Sequence, residues 1–91
     1  FRFFGLKLFG VTSDIQKEWK SQIDHAARNE TSLMMHYRPD LVDLSRLSKS
    51  RADKPLGVWG EDPRDATPAH GRECMESALA LLMKKFRDAG V

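Results

Sequence analysis

Between Ser48 and Pro68 the chain carries Pro55, Gly57, Gly60, Pro63 and Pro68 and no hydrophobic period. A stretch of roughly 20 residues punctuated this way cannot be one continuous helix or strand. In a chain of 91 residues, regular structure is thereby confined to the two sides of one long loop. A chain this short makes one small domain at most and buries only about 60–65% of its unfolded surface. A loop this long in so small a body serves as a functional lid, or packs against other parts of a larger fold.

The element after the loop has the clearest signals. Thr67 is placed to cap a helix and Pro68 to occupy its first position. Met75, Leu79, Leu82 and Phe86, with Ala78 between them, continue it as an apolar stripe, and Gly90 marks its end. Cys74 lies at the edge of that stripe and reads as a small buried hydrophobe before a nucleophile. Before the loop, Phe4, Leu6 and Leu8 alternate with Gly5 and Lys7 in FRFFGLKLFG, which predicts an apolar strand ended by Gly10. Ser13 and Gln16 form a capping-box pattern opening a helix to about Ile23, with Ile15, Trp19 and Ile23 on its apolar face. Asp24 is placed to cap a further helix from His25 or Ala26 to about Arg38, where Pro39 stops it. Leu41, Val42, Leu44 and Leu47 follow as a short buried strand or turn of helix.

Composition narrows the function classes. At 41% hydrophobic and 31% charged residues, the chain is too apolar for disorder. A net charge of +2 is too balanced to imply nucleic acid or an anionic membrane as partner. No apolar run reaches the roughly 18 residues of a membrane span, and no signal-peptide layout is present. Cys74 as the single cysteine excludes an internal disulfide and any multi-cysteine metal site, and it fits a reducing, cytoplasmic setting. The chain opens on Phe1 in place of methionine, the expectation being a cleaved, trimmed or partial polypeptide.

Chemistry-bearing side chains concentrate in Asp24-His25-Ala26-Ala27-Arg28-Asn29-Glu30-Thr31-Ser32. On one helix, His25 and Glu30 would stand about 140° apart, too far round to share one ion. If both are functional they meet a site at different points, Glu30 giving a carboxylate to a metal and His25 moving a proton. A capping Asp, a partly exposed His and a solvated Glu account for the same residues. His36 reads as solvated or packed. His70, in a helix's first turn where a cation opposes the dipole, reads as neutral and exposed. The basic run Arg46, Lys49, Arg51 and Lys54 has no aromatic residue for base stacking, so it reads as solvated loop. No His-Glu-x-x-His, phosphate loop or Gly-x-Ser-x-Gly is present.

The segment HAARNETSLMMHYRPDLVDLSRL resembles the creatininase (creatinine amidohydrolase) family, whose members carry His-Ala/Gly-Gly-x-x-Glu-Thr-Ser-x-Met and then Arg/Tyr-Pro-Asp/Glu-Leu-Val. His25, Glu30, Thr31, Ser32 and Met34 match in register, as do Arg38, Pro39, Asp40, Leu41 and Val42. GVWGEDPRDATPAHGRECMESA is similar to the family's segment leading into its last helix. Ala27 stands where the family usually has Gly, and Arg28 where it often has Glu.

The resemblance implies an α/β fold: the C-terminal part of an α/β/α sandwich, contributing one apolar strand and about three helices. Residues 1–91 would then be the C-terminal portion of one creatininase-like domain. The family's Glu-x-His-Gly and Asn-Gly-His segments, which supply most metal ligands, do not occur in these residues. The resemblance further implies two divalent metals per site (zinc, manganese or iron), a small-molecule substrate and a homo-oligomer, hexameric in the family. His25 matches the proton-transferring histidine and Glu30 a metal ligand. Trp59 in the long loop is a candidate for stacking on a flat substrate, with packing as a loop anchor the other reading. The competing function class is a non-catalytic, mostly helical module that docks through its apolar N-terminal strand.

Overall fold

The computed structural model describes residues 2–7, 10 and 24–90. The helix expected over residues 13–23 lies outside them, as does Leu8 of the expected strand. The N-terminal segment is not one strand but a hairpin. β1 (Arg2–Phe3) pairs antiparallel with β2 (Leu6–Lys7), with Phe3 opposite Leu6. Phe4 and Gly5 make the turn, with φ of 48° and 78°. Positive φ at both turn positions matches the twist of the two strands, and Gly5 adopts it without a Cβ penalty. Phe4 is therefore carried to the tip, 91% exposed, and not into a buried face. Among the described residues this hairpin is the only sheet, so the parallel sheet of an α/β/α sandwich is not among them.

The remainder is helical. α1 spans Arg28–Tyr37 and α2 spans Pro68–Asp88. Three short 3₁₀ turns lie between them, at Pro39–Leu41, Leu44–Arg46 and Pro63–Asp65. α1 starts at Arg28, two or three residues later than the cap at Asp24 predicts, because Ala26 takes a left-handed φ of 50°. Pro39 stops it as expected. Residues 41–47 form neither a buried strand nor a buried helix: Leu41 is exposed, and the segment is two surface 3₁₀ turns. α2 begins as the sequence predicts, with the Thr67 hydroxyl accepting the His70 N–H at 3.1 Å and Pro68 in the first turn. It ends at Asp88, with Ala89 as its cap before Gly90.

The two helices meet through small residues. Gly71, Cys74 and Ala78 are buried along one face of α2, and Ala27 and Ser32 are fully buried opposite. A Cβ at Gly71 would land on the Ser32 carbonyl, so only glycine permits this approach. Ser32 Oγ accepts the Thr67 N–H at 3.1 Å, and His70 Nε2 bonds Asn29 Oδ1 at 2.7 Å. His70 is thus half-buried and partnered, not exposed. Cys74 sits at the centre of the buried face instead of its edge. Of the stripe expected there, Ala78 is buried and Met75 and Leu82 are half-buried, while Leu79 and Phe86 remain exposed.

Gly71→Ala separates packing from helix propensity. Alanine favours a helix over glycine by about 1 kcal/mol, while overpacking a close contact costs about 1–3 kcal/mol or more. The expected outcome is a lower thermal midpoint by circular dichroism; an unchanged or raised midpoint would show that the helices do not meet at Gly71.

Candidate functional site

The candidate site is built on the turn that enters α1. Asp24, buried, accepts the Asn29 N–H at Oδ2 (2.7 Å) and the Glu30 N–H at Oδ1 (3.0 Å). It satisfies two of the donors a helix start leaves open, and its charge suits that end of the dipole. Glu30 returns the favour: its Oε2 accepts the Ala26 N–H at 2.7 Å. Asp24 and Glu30 thus cap the turn together, in the manner of a capping box but with the Glu30 carboxylate on the Ala26 N–H in place of that of Asp24. His25 lies within this loop, outside the helix. The 140° argument, which needs both residues on one helix, therefore does not apply.

A second strip runs antiparallel to the first. His25 N–H donates to the Trp59 carbonyl at 2.8 Å, and Trp59 N–H to the His25 carbonyl at 2.9 Å. Residues directly opposite in such a bridge project their side chains to the same side. The His25 imidazole and the Trp59 indole are both exposed there, the latter by 66%. Trp59 anchors the loop through its backbone, then, and not by burying its ring. Two residues on, Glu61 accepts the Arg28 N–H at its carbonyl and pairs with the Arg28 guanidinium at 3.1 Å. Gly60 lies between, at φ +130°, where a Cβ would approach Asp24 Cβ to 2.7 Å and Ala27 Cβ to 2.9 Å. Sequence reasoning missed Gly60; a glycine between Trp59 and an acidic residue shows no close approach until the partner strip is known.

The long loop is held by Arg64, whose side chain is only 10% exposed. Its Nη1 donates to the Ser48 and Ser50 carbonyls, each at 2.7 Å, and its Nη2 to the Asp53 carbonyl at 3.0 Å. Its Nε faces Asp62 Oδ1 at 2.9 Å. Asp62 also accepts the Arg64 N–H, capping the turn at Pro63–Asp65, and receives Arg51 at 3.3 Å. Arg64, with the Arg51 charge beside it, pulls the Asp62 carboxyl down to about 2 against partial burial. The basic run is accordingly not all solvated, because Arg51 bridges Asp62 and Asp65. At the end of α1, Arg38 grips Asp40 through two bonds of 2.9 and 2.7 Å and lowers its carboxyl below the usual range. His36 is exposed and packs edge-on against Tyr37.

Of the three residues singled out by sequence, His25 and Trp59 are paired directly opposite each other through their backbones. Glu30 is five positions along from His25, at the lip of an open groove of about 400 Å³ floored by Met34, Leu44, Val58 and Pro63. Its Oε1 has no hydrogen bond among the described residues, so one oxygen is available to a cation. The described residues contain no cluster of three or more His, Cys, Asp or Glu that would hold a metal ion. By themselves they offer a ligand, not a metal site.

The chain matches the family model for creatininase, described as creatinine amidohydrolase, over residues 2–86. It belongs to the creatininase family and is of amidohydrolase type. No curated protein and no solved structure matches it. None of the helices among the described residues is long and apolar enough to cross a membrane.

The Asp62 carboxyl, 3.8 ordinarily and about 2 in the fold, stabilises the loop in full above pH 4 or so. That contribution is lost as the pH falls toward 2. Acid unfolding followed between those limits should be shallower for Asp62→Asn than for the parent chain, the variant being the less stable above pH 4. Parallel curves would show that the Arg64–Asp62 pair does not hold the loop.

Proposed function

We propose that this chain supplies part of the active site of a metal-dependent amidohydrolase that cleaves a C–N bond of a cyclic or N-formyl amide. The observation that carries the reading is the His25–Trp59 bridge, which pairs two residues with exposed side chains directly opposite each other. In this reading the Trp59 ring stacks on a flat substrate, and the His25 imidazole passes a proton to the departing nitrogen. Glu30 gives its free Oε1 as one ligand to a divalent centre of zinc, manganese or iron. Two such ions, when bound, lower the pKa of water and polarise a carbonyl. The other ligands come from Glu-x-His-Gly and Asn-Gly-His elements, which these residues lack, in a cytoplasmic homo-oligomer, a hexamer by resemblance to the family. The competing reading is a non-catalytic, mostly helical module that docks through its apolar N-terminal segment; the family match favours the hydrolase.

Two measurements test the proposal. The 91-residue chain, titrated calorimetrically with zinc or manganese, should bind weakly, since one carboxylate leaves most of a metal's coordination unfilled. Submicromolar binding of two ions would instead reveal a complete site in the chain. In the assembled enzyme, assayed on a panel of cyclic and N-formyl amides, His25→Ala should keep its metal and lose roughly 10²–10⁴ in turnover. Trp59→Ala should chiefly raise KM. Loss of metal from His25→Ala would make His25 a ligand or support, and full turnover would remove it from the chemistry.

A further inference from the structure

We infer that Glu30 and Thr31 are positioning residues for His25, acting through the left-handed Ala26 between them. Ala26 has φ +50°, a conformation an L side chain rarely holds without help. Both of its backbone polar atoms are tied to consecutive residues in the first turn of α1. Its N–H donates to Glu30 Oε2 at 2.7 Å, and its carbonyl accepts from Thr31 Oγ1 at 3.3 Å. On the other side of His25, Asp24 is tied to the Asn29 and Glu30 N–H groups. His25 therefore sits between two residues that are each fastened to the start of α1, while its own N–H and carbonyl are fastened to Trp59.

Relaxing Ala26 to an ordinary φ would rotate the peptide that leaves His25 and so re-aim the whole residue. What opposes that relaxation is the Glu30 carboxylate, assisted by the Thr31 hydroxyl. The tie uses only the Oε2 oxygen of Glu30. The catalytic meaning of the device rests on the proton-transfer reading of His25; the device itself does not.

Amide hydrogen exchange on the 91-residue chain, read residue by residue by NMR, tests this directly. Glu30→Gln keeps an acceptor oxygen and should preserve protection at Ala26, His25 and Trp59. Glu30→Ala should lower protection at those three amides by about tenfold or more, the scale of one lost hydrogen bond. Amides in the middle of α1 and α2 should keep theirs. Adding Ala26→Gly to Glu30→Ala should restore protection at His25 and Trp59, since glycine holds the left-handed turn without the tie. Thr31→Val, which leaves the carboxylate in place, should produce a smaller loss at the same amides and guards against a Glu30→Ala chain that does not fold.

Wild-type protection in both Glu30→Ala and Thr31→Val would overturn the inference. So would a loss spread evenly along α1, which would make Glu30 a helix cap and nothing more, or a loss in Glu30→Gln equal to that in Glu30→Ala. Failure of the proton-transfer reading would look different. His25→Ala would retain turnover, while the exchange pattern of the Glu30 and Thr31 variants stayed as expected.

Discussion

The approach of the Gly71 backbone to the Ser32 carbonyl is the contact on which the described structure depends. It brings the beginnings of α1 and α2 side by side, close enough for Ser32 Oγ to take the Thr67 N–H and for Asn29 to reach His70. The chain leaving α1 must return to that same place before α2 can start. In doing so it lays residues 59–61 along 25–28. The site is thus a result of where two helices start. The side chains at the junction are small, so the helices approach by backbone and not by interdigitating large apolar groups. Among the described residues the buried apolar side chains are small, and this junction leans on directed bonds more than on burial.

That reliance explains why some charges matter more than others. The pairs Arg72–Glu76 and Lys84–Asp88 lie exposed on α2, where such pairs contribute about 0.3–0.5 kcal/mol each. Asp24 and Arg64 are largely covered, and each takes up more than one backbone group: Asp24 two N–H groups, Arg64 three carbonyls. Removing either would break two or more of these bonds at once, which costs more than an exposed ion pair returns.

Sequence reading succeeded where one residue's local chemistry decides the outcome. Thr67 and Pro68 fix the start of α2, Pro39 the end of α1, and Asp24 the cap, because each acts within a few positions along the chain. It faltered where the partner is distant in sequence. The period at Met75, Leu79, Leu82 and Phe86 marks an apolar face, but what α1 meets is set by Gly71, whose importance lies in an absent atom. The alternation in FRFFGLKLFG reads as one strand when Gly5 stands for a polar position, whereas the fold uses it as a place to turn. His25, Glu30 and Trp59 could be named from their types and from the family resemblance. The bridge between His25 and Trp59 spans 34 positions, and nothing in either residue's neighbours announces it.

Arg64 gathers the carbonyls of Ser48, Ser50 and Asp53 onto one guanidinium, and the Trp59 bridge holds the far side of the same loop. Between these anchors the chain is suspended like a span between two piers. Leu56, at its middle, is 99% exposed. Residues there can be exchanged, inserted or lost without pulling on either anchor, since loop length costs closure entropy only slowly. The part of the loop free to diversify is therefore separated from the part that holds His25. A change around Leu56 would thus alter what approaches the His25–Trp59 strip while leaving the backbone that carries the imidazole where it is.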